Sequence, residues 1–228
     1  MEINNINEKI YEDEYSIISS IKDTKLIEYT SKMLTQTFLK HCLLRRISKV
    51  DYETFYKHIV ICTEISLKEG QYICFFDKKL KRIVAAYLGL SKDGKIEFLN
   101  KIDDLYKTNK SMAYEREVYN KLESKDLNLK NPSYLYMYGV DSNIISQGYG
   151  QKLVSQALKY ITSKGYESIY CETTSLSSES VMLKLGGKIH KSYYFRDLEA
   201  FYSAPRNPND ILERLSLVYF IFEPVVKF

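Results

Sequence analysis

No proline, glycine or serine run in the 228-residue chain is long enough to act as a linker, so one domain over residues 1–228 is expected. No apolar stretch approaches the roughly 20 residues that a membrane span needs. The start, Met1 to Glu8, carries acids and amides where a secretory leader has a basic cluster and an apolar segment, which predicts a cytoplasmic protein with no membrane partner. Cysteine is sparse: Cys42, Cys62, Cys74 and Cys171 are scattered, with no Cys-x-x-Cys pair and no histidine at metal-ligand spacing. They read as buried free thiols, and no metal site is expected. Excess charge is also missing. With 33 Lys and Arg against 29 Asp and Glu, the net charge of +4 is too mild to predict a nucleic-acid partner. The densest basic cluster, Lys78, Lys79, Lys81 and Arg82, falls where a solvated hairpin turn is expected.

Apolar residues supply 45% of the chain and charged residues 27%, the balance of a globular protein with material for a core. From Thr24 to about Cys42 the apolar positions Leu26, Ile27, Met33, Leu34 and Phe38 recur near helical spacing. Asp51 is placed to cap a second helix through Phe55, Ile59, Cys62 and Ile65, closed by Gly70. Strands are expected at Gln71–Phe76 and Ile83–Leu90, and the turn Ser91–Gly94 leads to a third short strand around Ile96–Leu99. Residues 101–130 are polar, hold a helix around Met112–Leu122, and read as an insertion.

Tyr134–Val140 is a nearly continuous apolar run, the pattern of a central strand covered on both faces. The helix that follows places Leu153, Val154, Ala157, Leu158 and Ile161 on one side and stops at Gly165. A strand at Tyr166–Cys171, a short helix at Glu179–Leu185 and a last strand at Leu215–Phe222 complete the chain. Helices, then an antiparallel meander, then a right-handed parallel crossover make a mixed α/β fold. An exposed last strand could pair across a homodimer.

Between the central strand and its helix the chain turns through Gly148 and Gly150. A helix N-terminus offers unpaired N–H donors and the positive end of the macrodipole, and glycine lets an anion approach because no Cβ stands in the way. The amides of Gln147, Gly148, Tyr149, Gly150 and Gln151 can therefore meet a pyrophosphate. Two familiar loops do not fit. A dinucleotide fingerprint needs a third glycine where Leu153 stands, and a nucleotide P-loop needs Lys-Ser or Lys-Thr where Lys152-Leu153 stands.

The segment Tyr134 to Phe195 resembles the core of the GNAT superfamily of acyl-CoA N-acyltransferases. The likeness rests on Val140 at the strand end, on Gly148 and Gly150 in a loop of the form Arg/Gln-x-x-Gly-x-Gly/Ala, and on Lys184-Leu185-Gly186 closing the later helix. Ile145 stands where the family prefers Arg or Gln, and Gly187 where Phe is usual. The serine-rich stretch Thr174 to Ser178 and the segment Tyr193 to Asp197 are similar to the arylalkylamine N-acetyltransferase-like branch. That branch's acidic base has no counterpart in Phe38 to Leu44.

The resemblance implies a mostly antiparallel central sheet with a splayed parallel strand pair, flanked by helices, with a cofactor core at about 134–195. It implies acetyl-CoA, held by Tyr138, Val140, Gln147, Gly148, Tyr149, Gly150 and Gln151, and direct attack on the thioester by a primary amine of a small molecule or a peptide. An alkylammonium with a pKa near ~10.4 is neutral in only about one molecule in a few thousand at pH 7, so a base is needed. Glu172 is the candidate, and a surface carboxylate at a strand end is its alternative reading. The oxyanion would be met by a backbone N–H near Val140. Met182 stands where many members carry the tyrosine that protonates the thiolate, leaving Ser178 or Tyr194 as replacements. Lys152 and Lys159 could meet the 3′-phosphate. His58 falls within an apolar helical pattern and reads as a packed or snorkelling side chain, while His190 is expected beside the substrate rim. The missing tyrosine and base leave a non-catalytic acyl-CoA-binding module as a third reading.

Overall fold

In the computed structural model, which describes residues 7–122, 127–144, 147–198, 210 and 213–222, the apolar run at Tyr134 becomes strand β5 (Pro132–Val140), in the middle of a sheet. On one side of it lie β4 (Arg82–Leu90), β3 (Tyr72–Asp77), β2 (Ser16–Ser20) and β1 (Glu8–Glu12), going outward. On the other side come β6 (Ser168–Thr173), β8 (Arg214–Ile221) and β7 (Lys188–Tyr194). Every neighbouring pair is antiparallel except β5 and β6. The mixed α/β fold and its parallel crossover are therefore as expected.

Helices α1 (Lys25–His41), α3 (Tyr52–Lys68) and α4 (Lys92–Thr108) cover one face, packing Leu34, Phe55, Ile59 and Phe98 against Tyr72, Leu88 and Met137. The other face is covered by α6 (Tyr149–Ser163) and α7 (Leu176–Lys184). In α6 the stripe Leu153, Val154, Ala157, Leu158 and Ile161 is buried on the sheet. Each of its larger side chains contributes about 1.5–3 kcal/mol relative to exposure. A third apolar cluster joins α2 (Leu43–Ser48) and α5 (Lys110–Asn120) to Leu215 and Leu217 of β8. Among the described residues no helix is long and apolar enough to cross a membrane.

Several expectations change. The short strand at Ile96–Leu99 is part of α4, because Ser91 caps a helix by accepting from the Gly94 N–H at 3.0 Å, and Phe98 and Ile102 then fall one turn apart into the core. Gly94 serves close approach in place of a hairpin turn, since a Cβ there would collide with the Glu69 carboxylate, which itself accepts from the Ser91 N–H at 2.7 Å. The apolar tail strand is not an exposed edge: β8 pairs with β6 on one side and β7 on the other, which removes the ground for a dimer through it. Strands β1, β2 and β7 are additions. The polar segment 101–130 contributes α5 and the end of α4, whose Ile102, Met112 and Val118 are buried.

Candidate active site

Strands β5 and β6 pair only at Pro132↔Ser168, Ser133↔Ile169 and Tyr134↔Tyr170, and beyond Tyr134 they part. On its other side β5 carries a bulge. Leu88 faces Met137 while Gly89 faces Leu135, so Tyr136 is the extra residue. Side-chain alternation slips there: Tyr136 and Met137 both pack toward the α1–α3 face, and Tyr138 and Val140 pack toward α6. At the strand end the Asp141 N–H donates to the Val84 carbonyl at 2.8 Å, so the polar groups of Val140 point the opposite way, to the parted side. Its carbonyl accepts from Thr37 Oγ1 at 3.0 Å, and its N–H has no ladder partner among the described residues.

Helix α6 begins against the end of β5, beside Tyr138 and Val140. Gly148, at φ +81°, is its N-cap, a left-handed conformation that strains any residue with a Cβ. Gly150 lies in the first turn, where a Cβ would sit 3.4 Å from both Tyr138 and Val140. Among the described residues the N–H groups of Tyr149, Gly150 and Gln151 have no backbone acceptor, and the first amide to find one is Lys152, which donates to the Gly148 carbonyl at 3.1 Å. Gln147, Gly148, Tyr149 and Lys152 line a hollow of about 310 Å³ with Ser16, Phe75, Asp77 and Lys79. Donors without acceptors, at a helix start and beside an open hollow, fit a phosphate group. Lys152 is already engaged, pairing with Asp13 at 2.5 Å and donating to Ser16 Oγ at 3.0 Å. That ion pair is what holds the Asp13 carboxyl far below the usual range. Lys159 is exposed, two turns along the helix from Lys152.

A second cavity of about 300 Å³ opens at the parted strands, walled by β5 from Tyr134 to Tyr138, by β6 and its following turn from Cys171 to Thr174, and by α4 and α5. Glu172 lines it, accepting from the Tyr134 hydroxyl at 2.5 Å. Burial, reinforced by the Glu172 charge, pushes the Tyr134 hydroxyl well above its usual range, so it stays a donor. Lys95 Nζ lies 3.8 Å from the Tyr134 ring centre and donates to the Tyr170 hydroxyl at 3.2 Å. Five tyrosines line this wall, Tyr106, Tyr119, Tyr134, Tyr136 and Tyr138, and burial raises the Tyr106 hydroxyl to about 12.

Ser178 also lines the cavity, in the first turn of α7, where its hydroxyl donates to the Ser175 carbonyl at 2.9 Å. Tyr194 is elsewhere: it ends β7, the outermost strand, with its ring under Arg196 and Arg214, and is absent from the described lining. His190 shares that strand and is likewise outside the described lining, so the expected rim position is corrected; a sequence pattern cannot show that the tail folds back as a far edge. Ile145 lies outside the described residues.

Three supports were not legible in the sequence. Arg45 of α2 forms a buried ion pair with Glu115 of α5, side chains 3% and 2% exposed, and Glu115 also accepts from Ser48 at 2.6 Å. Glu179 of α7 is buried against Arg214 and Ser216 of β8. Glu213 caps α7 by accepting from the Leu176 N–H at 2.7 Å.

By sequence, no family and no curated protein matches the chain. Solved structures do match it. Arylalkylamine N-acetyltransferase 2 of Aedes aegypti aligns with a TM-score of 0.69 at 16% identity, over 91% of this chain and 99% of that one. The polyamine N-acetyltransferase of Drosophila melanogaster aligns at 0.68 and 15%, over 91% and 100%. The C-terminal condensation domain of Ebony, in complex with β-alanyl-dopamine, aligns at 0.71 and 11%, over 90% and 98%. The chain has the GNAT fold. In GNAT terms β5 and β6 are the splayed pair and the glycine loop opens α6.

Proposed function

We propose that this protein is an N-acetyltransferase that moves an acetyl group from acetyl-CoA to the primary amine of a small molecule. The observation that carries the reading is the set of amides at the start of α6 that have no backbone acceptor among the described residues, set against Tyr138 and Val140 toward the end of β5 where it has parted from β6. The amides of Gln147 to Gln151 would hold the diphosphate, with Tyr138 and Val140 flanking it, and the open edge of β5 would take an extended arm by backbone hydrogen bonds. When bound, acetyl-CoA supplies an activated acyl thioester. The Val140 N–H steadies negative charge on the acyl oxygen, a contribution of about 3 kcal/mol for such a donor. Glu172 accepts the proton of the ammonium, oriented by Tyr134, and Ser178, turning its hydroxyl from the Ser175 carbonyl, would relay to the leaving thiolate the second proton shed by the attacking nitrogen.

Helices α4 and α5 wall the cavity with Phe98, Tyr106 and Arg116, and a volume of about 300 Å³ suits a small amine better than an extended peptide. The four cysteines are free and buried, which suits a reducing, cytoplasmic location. Calorimetry with acetyl-CoA and a thiol-release assay against monoamines, polyamines, aminoglycosides and peptides test the reading. Micromolar binding with release driven by a small amine supports it; no binding at millimolar acetyl-CoA overturns it. Binding without turnover on any acceptor would select a non-catalytic acyl-CoA-binding module.

A further inference from the structure

His58 is 2% exposed, and both its ring nitrogens are buried with no hydrogen-bond partner among the described residues. A buried imidazole without a partner is unusual, because both nitrogens have been removed from water with nothing gained in return. The ring sits in the wall of the cavity at the parted strands, edge-on to Phe98 at 5.1 Å between centres and tilted against Tyr136 at 5.5 Å. Burial, with Arg45 nearby, holds its pKa well below 6.5, so it is neutral at pH 7 and presents one donor and one acceptor. From His58 an aromatic row runs through Tyr136 to Tyr134, 5.9 Å apart, and Tyr134 bonds Glu172. The row therefore joins the proposed proton acceptor to an unsatisfied neutral polar group.

Charge in the cavity narrows what can lie along that row. The described lining holds three cations, Arg45, Lys95 and Arg116, and two carboxylates, Glu115 and Glu172. Glu115 is committed to Arg45. A second cation at the far end of an acceptor would meet Arg45 with no free carboxylate to offset it.

Resting on the N-acetyltransferase reading, we propose that His58 is a specificity-determining residue, selecting a primary amine whose far end carries an uncharged hydrogen-bonding group, a hydroxyl or an amide. Such a group completes His58, which an apolar or cationic tail leaves unpaired.

The test compares matched amines: phenethylamine with tyramine, and hexylamine with 6-aminohexanol and 1,6-diaminohexane. In the wild type, kcat/KM should favour each hydroxylated member over its apolar and dicationic partners by about tenfold. In His58→Phe, which keeps an aromatic ring in the space, that ratio should fall toward one. An unchanged ratio in the variant, or preference for the diamine in the wild type, overturns the proposal. Calorimetry of tyramine and phenethylamine on the CoA-loaded protein, wild type and variant, gives the same comparison without turnover. Absence of acetyl transfer to any amine would defeat the N-acetyltransferase reading, while the binding ratio would still decide the role of His58. Equal binding of the two amines to the wild type overturns it.

Discussion

The Tyr134 hydroxyl donates to Glu172 at 2.5 Å, and Tyr134 is also the last residue of β5 to pair with β6. The hydrogen bond thus sits at the fork of the parted strands and aims the carboxylate into the cavity. Glu172→Gln keeps the shape and removes the base, so kcat/KM for amines should fall by about 10²–10⁴. Tyr134→Phe, which removes only the orienting bond, should cost about tenfold. Tyr194→Phe should leave the rate near wild type, since Tyr194 lies outside the cavity lining. Steady-state kinetics of the three variants give the ranking.

Gly150 has room for a Cβ at 3.4 Å from Tyr138 and Val140, so its substitution can spare the fold. An acidic side chain in the first turn suits the helix dipole but repels a bound anion. Gly150→Asp should therefore show near-normal circular dichroism and thermal midpoint while acetyl-CoA affinity drops at least a hundredfold by calorimetry, about 2.7 kcal/mol.

His58 links stability to pH. Its folded pKa lies well below the ordinary 6.5, so the unfolded chain binds the extra proton first as pH falls. Its contribution is complete above pH 6.5 and is lost below it, at up to about 1.4 kcal/mol per pH unit. Urea unfolding at pH 7.5, 6.5 and 5.5 should show this slope in the wild type and a shallower one in His58→Phe.

The Arg45–Glu115 pair ties α2 to α5 beside the cavity. Glu115→Ala leaves a buried guanidinium without its counter-charge and should cost about 3–5 kcal/mol in urea unfolding. Replacing both by Met and Leu should recover most of that loss, because the cost lies in the unpaired charge.

The strand, glycine loop and helix from Tyr134 to Ile161 were legible because each is a local pattern: an apolar run, a break, then a stripe one turn apart. The α4 error shows where such reading fails. Ser91 to Gly94 has the letters of a hairpin turn, and only the distant Glu69 carboxylate, packed against Gly94 and accepting from Ser91, fixes it as a helix start. Tyr134 with Glu172, Arg45 with Glu115 and Glu179 with Arg214 are each 35 or more residues apart, so no spacing rule connects them. His58 is packed, as one of its two readings had it, but its surroundings, with no partner for its nitrogens among the described residues, depend on Phe98 and Tyr106 of α4 and Tyr136 of β5, all 40 or more residues away, beside Phe55 of its own helix.

The account rests on the amides at the start of α6 receiving a diphosphate. An amide-resolved nuclear magnetic resonance titration with coenzyme A tests this directly. Saturable shifts that are largest at the N–H groups of Gly148, Tyr149, Gly150 and Gln151, with a common dissociation constant, are expected. No shift at these four while others saturate, or no binding up to millimolar coenzyme A, would contradict it.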